Sequence, residues 1–168
     1  MSEAVIGLGS NLGDRNAHLL EAVQALSRLT DVKIKAISSI YASEPEGAPA
    51  GETQSLYHNM AVMLETKMSP MALLGACLGI EAAMGRLRGA RNAARIIDLD
   101  LLLYEGVKSE NFELSLPHPR LLQRAFVLLP LKELYPAGRA PGIFFEPCLK
   151  AMDIGSITRL EQRISMEK

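Results

Sequence analysis

Residues 95–104 have the sequence Arg-Ile-Ile-Asp-Leu-Asp-Leu-Leu-Leu-Tyr, an apolar run with two aspartates one residue apart. Because side chains alternate faces along a β-strand, Asp98 and Asp100 leave the same face with their Cα atoms roughly 6.5 to 7 Å apart. Ionising two carboxylates this close is costly unless a cation lies between them. Mg²⁺ fits this position, since it is held by one or two carboxylates, water and substrate phosphates. A solvated pair on an edge strand is the alternative.

Arginines are concentrated just before this run. Residues 82–97 contain no acidic residue and four arginines, namely Arg86, Arg88, Arg91 and Arg95. The planar guanidinium group pairs well with phosphate oxygens. A paired-carboxylate site beside these cations therefore predicts an anionic ligand that brings its own metal ion.

The composition excludes several classes of protein. The chain has 168 residues, with 18 Lys and Arg against 19 Asp and Glu, so its overall charge predicts neither nucleic acid nor a membrane surface as partner. Cys77 and Cys148 lack CxxC spacing, which disfavours a zinc site and a disulfide framework. We find no signal peptide and no apolar run long enough to span a bilayer, so we expect a cytoplasmic protein.

The first 66 residues predict three strands and a helix. Residues 4–8 form a short buried strand, and Asp14 is a suitable N-cap for a helix with one apolar face between residues 19 and 29. Residues 32–41 and 56–66 alternate as half-buried antiparallel strands do. The glycine-rich turn at residues 9–14 either leads into the helix or cradles a phosphate, although it lacks the lysine of the Walker pattern.

A loop rich in proline and glycine, residues 44–51, precedes the third strand. A long loop in a compact domain is often a lid or a binding loop. On the strand, Asn59 could hydrogen-bond the edge of a flat heterocycle while Tyr57 packs on its face. Cross-strand hydrogen bonding by Asn59 is the alternative.

Ser69 and Pro70 predict the start of a second helix, which Gly85 ends. The predicted apolar face consists of Leu74, Cys77, Leu78 and Glu81. Further core positions are expected at Met71, Leu73 and Met84.

The order strand, helix, strand, strand, helix, strand predicts an α+β fold. We expect a ferredoxin-like βαββαβ core with an antiparallel sheet and helices on one face, plus a C-terminal extension. Residues 1–168 should form a single domain. The tail at residues 151–168 carries Ile157, Leu160 and Ile164 at helical spacing, so we predict a terminal helix there and assign it no function.

His118 lies between two prolines, and Arg124 follows on a predicted short helix. Proline restricts the backbone, so the ring of His118 is held in a narrow range of positions. Because of this rigid setting and the nearby Arg124, a functional role for His118 is as well supported by the sequence as a structural role.

The chain resembles the 6-hydroxymethyl-7,8-dihydropterin pyrophosphokinase family over residues 4–136. The matching segments are residues 9–13, Tyr41 with Ser43, Tyr57 with Asn59, residues 80–81, residues 85–88, residues 95–102, residues 116–118 and residues 124–128. Each segment alone is weak evidence for the resemblance. The two segments Arg-x-x-Asp-Leu-Asp-Leu-Leu and Pro-His-Pro-Arg-x-x-x-Arg-x-Phe-Val-Leu are together highly specific.

The resemblance implies an ATP-dependent diphosphotransferase of folate biosynthesis. Such an enzyme transfers diphosphate from ATP to the hydroxymethyl group of 6-hydroxymethyl-7,8-dihydropterin and releases AMP. Its partners would be these two substrates, with no nucleic acid or membrane, and we expect a monomer.

The resemblance also implies the site residues. Two Mg²⁺ ions would be held by Asp98 and Asp100. The implied ATP-binding residues are Glu81, Arg86, Arg88, Arg95, Leu101, His118 and Arg124. Catalysis is implied for Arg86, Arg95, Asp98 and Asp100, and pterin binding for Ser43, Tyr57, Asn59 and Phe126.

One segment departs from the family pattern. Many members carry an aromatic residue, Gly and Pro before the arginine of the aspartate strand, where this chain has Asn92-Ala93-Ala94-Arg95. We expect slower loop closure or weaker binding, and an aromatic residue at Asn92 should lower the Michaelis constants.

Other classes of protein fit less well. A polymerase-β-like nucleotidyltransferase also uses paired aspartates, but its Gly-Ser turn lies just before them, whereas Gly9-Ser10 is far from Asp98. An RNA-binding module needs strand aromatics, and this chain has no tryptophan. The main alternative is a catalytically silent relative that binds pterin or nucleotide, against which the intact arginines and aspartates argue.

Overall fold

The computed structural model of the protein describes residues 1–87 and 93–164. The helices are α1 (Arg15–Ser27), α2 (Pro70–Ala83), α3 (Ala125–Leu134) and α4 (Glu146–Lys150). The longer strands are β1 (Ser2–Ser10), β2 (Val32–Ile37), β3 (Tyr41–Ser43), β4 (Tyr57–Thr66) and β5 (Asp98–Tyr104). The two-residue strands are β6 (Ser109–Glu110), β7 (Ser115–Leu116), β8 (Arg139–Ala140), β9 (Ile143–Phe144) and β10 (Thr158–Arg159).

The main sheet is antiparallel and has the order β10-β3-β4-β1-β5, with β2 also paired to β4. When β2 and β3 are taken as one interrupted strand, the chain runs βαββαβ, and the predicted ferredoxin-like α+β fold is confirmed. The assignment of residues 1–168 to one domain stays a prediction.

The predicted single strand at residues 32–41 is wrong, because residues 38–40 interrupt it. Ile37 pairs with Val62 and Tyr41 with Asn59, so three residues on this side oppose two on β4. Ser38 fills the gap: its hydroxyl accepts a hydrogen bond from the amide of Ala61 at 2.9 Å.

Helices α1 and α2 pack on one face of the sheet, as predicted. Their N-caps are Asp14 and Ser69, whose side chains accept hydrogen bonds from Ala17 and Ala72. The structure adds a second helical layer, since α3 and α4 cover the opposite face. The buried residues of that layer are Val5, Ala61, Leu102, Leu103, Leu121, Leu128, Leu131 and Phe145.

The predicted buried face of α2 is partly wrong. The helix buries Leu73, Cys77, Ile80 and Glu81, whereas Leu78 and Met71 are 40% and 48% exposed. The helix carries apolar residues on all of its faces, and Glu81 is its only charged residue. Helical spacing therefore fits more than one face, and the sequence pattern does not choose between them.

The predicted terminal helix is also wrong for the described part of the tail. Residues 158–159 form β10 on the edge of β3, and the amide of Leu160 donates to the carbonyl of Ile40 at 2.8 Å. Before this strand, Asp153 accepts a hydrogen bond from the amide of Gly155, which turns the chain. Backbone pairing to the open edge of β3 thus replaces the helix.

Among the described residues, no helix is both long and apolar enough to cross a membrane.

Candidate active site

Two glycines on β1 lie opposite the paired aspartates. Gly9 pairs with Asp98 and Gly7 with Asp100 across the β1–β5 ladder. Residues paired in this way project to the same face. The absence of a side chain makes room for Leu102 at Gly7, where a Cβ would lie 3.0 Å from it, and leaves space beside Asn59 and Tyr57 at Gly9. The two glycines and the two aspartates line a cavity of about 540 Å³, within the range of small-molecule sites.

Asp98 lies between two arginines. Its Oδ1 accepts a hydrogen bond from Arg86 Nη1 at 2.5 Å, and its Oδ2 accepts one from Arg95 Nη1 at 2.9 Å. The predicted meeting of cations and paired acids is therefore present within the structure. Both guanidinium groups also line the cavity, where they can donate to a second anion.

Asp100, the second carboxylate of the pair, is half-buried. Burial, and then the charge of Asp98, raise its pKa to about 6, while Arg124 opposes the rise. A cation between the two carboxylates would relieve this repulsion.

The donor set fits a metal ion that arrives with a phosphate ligand. Within the described residues, no cluster of three or more His, Cys, Asp or Glu could hold a metal alone. A pair of carboxylates in a cavity, with further ligands from phosphate and water, is the usual arrangement for Mg²⁺.

Glu81 holds Arg86 in position from behind. Glu81 is 3% exposed, and its side chain forms an ion pair with Arg86 and accepts a hydrogen bond from the amide of Leu99 at 2.7 Å. The end of α2 contributes too, because Gly85 has a φ of 82° and the amide of Arg86 donates to the carbonyl of Glu81 at 3.0 Å. The predicted contact of Glu81 with ATP stays a prediction.

Asn11 fixes the backbone of Arg95, a function that the sequence analysis missed. The amide of Arg95 donates to Asn11 Oδ1 at 2.8 Å, and the amide of Asn11 donates to the carbonyl of Arg95 at 3.2 Å. Asn11 Nδ2 also donates to Gln54 Oε1 at 2.8 Å. The glycine-rich turn thus braces Arg95 and the loop before β4.

The cavity is also lined by the four residues predicted to bind pterin, a set we call the pterin end, which consists of Ser43, Tyr57, Asn59 and Phe126. Asn59 Nδ2 donates to Ser43 Oγ at 2.9 Å and to the carbonyl of Tyr41 at 3.3 Å, so the cross-strand alternative is observed. Its Oδ1 points toward Gly9, where a Cβ would lie 3.3 Å away. Recognition of a heterocycle by Asn59 stays a prediction.

Arg124 lies at the N-cap of α3, not within the short helix that we predicted. Its Nε lies 3.4 Å from Glu46 Oε2, and its guanidinium carbon lies 5.4 Å from the centre of the Phe126 ring. Arg124 lines the cavity, and so does Arg120, which the sequence analysis did not single out. Its place in the Pro-His-Pro-Arg segment was the available signal.

His118 lies near Arg120 and Arg124, whose charges affect its pKa. Its amide donates to the carbonyl of Leu102 at 2.8 Å, after a cis peptide bond between Leu116 and Pro117. Burial, and then the charges of Arg124 and Arg120, lower the pKa of His118 to about 4. The ring is therefore neutral at pH 7. Its Nδ1 accepts a hydrogen bond from the amide of Arg120 at 3.2 Å, which leaves Nε2 as the donor.

Three of the predicted ATP-binding residues, Glu81, Leu101 and His118, do not line the cavity among the described residues. Leu101 is 4% exposed and belongs to the core beneath α1 and α2, so its side chain lies on the face opposite Asp98 and Asp100. Arg88 lies outside the described residues, as does Asn92.

Comparison with known proteins gives a consistent family. The sequence model of 7,8-dihydro-6-hydroxymethylpterin-pyrophosphokinase (HPPK) matches residues 5–136. The chain is 40% identical over 161 residues to a 2-amino-4-hydroxy-6-hydroxymethyldihydropteridine pyrophosphokinase of Methylorubrum extorquens, with 96% of this chain and 100% of that protein covered. It is 42% identical over 131 residues to the Bacillus subtilis protein of the same name, with 78% and 77% covered.

A solved structure supports the fold. A crystal structure of an HPPK-DHPS in complex with substrates matches with a TM-score of 0.70 at 14% identity. The match covers 94% of this chain and 46% of the other, so this chain spans about half the length of that solved protein. The family model and the curated relatives together show that the chain belongs to the 7,8-dihydro-6-hydroxymethylpterin-pyrophosphokinase family.

Proposed function

We propose that this chain transfers diphosphate from ATP to the hydroxymethyl group of 6-hydroxymethyl-7,8-dihydropterin, giving AMP and the pterin diphosphate in folate biosynthesis. One observation carries the proposal. A single cavity is lined by Asp98, Asp100 and a group of arginines, a set we call the phosphate end, and by the pterin end with Asn59 and two aromatic rings. The phosphate end suits a metal-bound triphosphate and the pterin end a flat polar heterocycle.

The arginines would act on the phosphates. Arg86 and Arg95 donate to the phosphate that is transferred, and Arg124, with His118 nearby, donates to the rest of the triphosphate. Catalysis then consists of alignment and electrostatic stabilisation, without a covalent intermediate on the protein. Asp98 and Asp100 would hold two Mg²⁺ ions, which when bound neutralise phosphate charge.

The pterin would lie between Tyr57 and Phe126. Asn59 Oδ1 would accept a hydrogen bond from its polar edge, and backbone groups near Ser43 would supply further hydrogen bonds. We propose that the protein works as a cytoplasmic monomer on these two substrates, without nucleic acid or membrane.

The test is a product assay with ATP, Mg²⁺ and 6-hydroxymethyl-7,8-dihydropterin that separates AMP from ADP. The wild type should form AMP only when pterin is present, and Asp98→Ala should form none. Glu113→Ala is the matched control, since Glu113 is an exposed carboxylate outside the cavity. ADP as product would contradict diphosphate transfer, and binding without turnover would favour the catalytically silent relative.

A further inference from the structure

We infer that Arg159, in the C-terminal tail, is a positioning residue for the pterin end of the cavity. It acts through Glu133 on α3 and Tyr41 on β3. The inference rests on the proposed function and assigns a role to a segment that lies beyond residues 5–136, the part matched by the family model.

Glu133 joins α3 to the edge of the sheet. Its Oε1 accepts a hydrogen bond from the Tyr41 hydroxyl at 2.6 Å, and its Oε2 accepts one from the amide of Ser39 at 2.9 Å. Burial raises the pKa of Glu133. The hydrogen bonds from Tyr41 and Ser39 and the charge of Arg159 together lower this pKa by more than burial raises it, so the net shift is downward. The carboxylate is thus ionised and held on three sides.

Arg159 completes this group from the tail. Its Nε lies 3.1 Å from Glu133 Oε1, and its Nε and Nη2 donate to Ser39 Oγ at 2.9 and 2.8 Å. The backbone is fixed as well, because Arg159 pairs with Tyr41 and Thr158 with Ala42 in the β10–β3 ladder. The tail therefore contacts β3 and α3 with the same residue.

Both partners of Arg159 continue into the pterin end of the cavity. On β3, the carbonyl of Tyr41 and the hydroxyl of Ser43 are the two acceptors for Asn59 Nδ2. On α3, Phe126 precedes Glu133 by seven residues, so the two lie on the same helix face roughly 10.5 Å apart along the axis. The spacing between Phe126 and Asn59 is thereby set by the Glu133 junction.

Most of the phosphate end does not share this support, and among its residues only Arg124, at the N-cap of α3, depends on the same helix. Asp98 is held by Arg86 and Arg95, and Arg95 by Asn11. Loss of Arg159 should therefore affect the pterin more than ATP. A purely structural tail would instead lower stability and leave both Michaelis constants unchanged.

The experiment compares kcat, both KM values and Tm for the wild type and four variants. Arg159→Ala and Tyr41→Phe should raise KM for the pterin about fivefold, which corresponds to about 1 kcal/mol at 1.4 kcal/mol per tenfold. Their KM for ATP should stay within about twofold. Arg159→Lys, which keeps the charge but loses the planar fork, should restore part of the pterin affinity.

Arg163→Ala is the matched control. It removes the same charge from the same tail at an exposed residue outside the Glu133 junction, and it should match the wild type in both KM values. If Arg159→Ala folds poorly, Tyr41→Phe still tests the junction, because it removes only the hydroxyl that donates to Glu133.

The outcomes separate the two proposals. Absence of AMP formation by the wild type would overturn the proposed function. Normal wild-type turnover with unchanged pterin KM in Arg159→Ala and Tyr41→Phe would overturn the role of Arg159 alone. Equal rises in both KM values would do the same, whereas a selective rise for the pterin supports it.

Discussion

Asn11 and Arg95 are joined by two hydrogen bonds, although 84 residues separate them in the chain. The Asn11 side chain accepts from the amide of Arg95 at 2.8 Å, and the Asn11 amide donates to the carbonyl of Arg95 at 3.2 Å. Arg95 in turn donates to Asp98. The turn after β1 thus determines where a guanidinium group meets the paired carboxylates.

Removal of the Asn11 side chain should impair turnover. In Asn11→Ala the amide of Arg95 loses its acceptor, and a misplaced guanidinium should lower kcat by about tenfold to a hundredfold. Loss of a buried hydrogen-bond partner should also lower the free energy of unfolding by about 1–3 kcal/mol. Steady-state kinetics and urea denaturation measure the two effects.

The Asn11→Asp variant separates the two contacts of this side chain. It keeps an oxygen for the Arg95 amide but loses the Nδ2 donor to Gln54. It should retain more of kcat than Asn11→Ala does. If both variants have the wild-type kcat, the brace has no part in catalysis.

The sequence revealed the parts of the site that are local in the chain. Asp98 and Asp100 share a face because strand geometry requires it, and Arg95 lies within the same segment. The contact between Asn11 and Arg95 could not be predicted from the sequence, since it depends on how two distant segments pack in the fold. The tail could not be predicted for the same reason. Residues 157–164 have helical spacing, but residues 158–159 pair with the edge of β3, and this edge exists only in the folded sheet.

Glu81 should contribute strongly to stability. The residue is 3% exposed, and its loss in Glu81→Ala would leave Arg86 with Asp98 as its remaining carboxylate partner and the Leu99 amide without an acceptor. We expect the free energy of unfolding to fall by about 1–3 kcal/mol, as measured by urea denaturation. Glu81→Gln should cost less, because its amide oxygen still accepts from Leu99.

The exposed carboxylate of Glu113 provides the comparison for Glu81. Glu113→Ala should change the free energy of unfolding by less than about 0.5 kcal/mol. Equal effects of Glu81→Ala and Glu113→Ala would show that the Arg86 pair does not stabilise the fold.

His118 should make stability depend on pH in the acid range. Burial, Arg124 and Arg120 lower its pKa to about 4, while Asp98 opposes them, and the unfolded value is about 6.5. As the pH falls below about 6.5 the unfolded state takes up the proton first, so stability is lost down to about pH 4. Urea denaturation of the wild type at pH 7.5 and pH 5 should show the fall.

The His118→Gln variant isolates this contribution from that of other acidic and basic groups. It should lose less stability than the wild type over the same pH interval, by about 1 kcal/mol after allowance for the partial exposure of the ring. Identical pH dependence of the two proteins would mean that His118 titrates normally in the folded state.

Gly9 should be required for pterin binding because of the space it leaves. A Cβ at this position would lie 3.3 Å from Asn59 Oδ1 and 3.6 Å from Tyr57 Cδ1. Both atoms lie in the predicted pterin end of the cavity, so Gly9→Ala should raise KM for the pterin several-fold, about 1 kcal/mol or more at 1.4 kcal/mol per tenfold. The KM for ATP should change less, and steady-state kinetics with each substrate varied in turn measures both.

Gly75→Ala on α2 is the matched control for Gly9→Ala. A Cβ at Gly75 meets no atom within 4 Å, and alanine is preferred to glycine inside a helix by about 0.5–1 kcal/mol. Gly75→Ala should therefore unfold at a higher urea concentration and keep both wild-type KM values. If Gly9→Ala also keeps the wild-type KM for the pterin, the open space beside Asn59 is not where the heterocycle binds. A rise in KM for ATP alone would instead assign that space to the nucleotide.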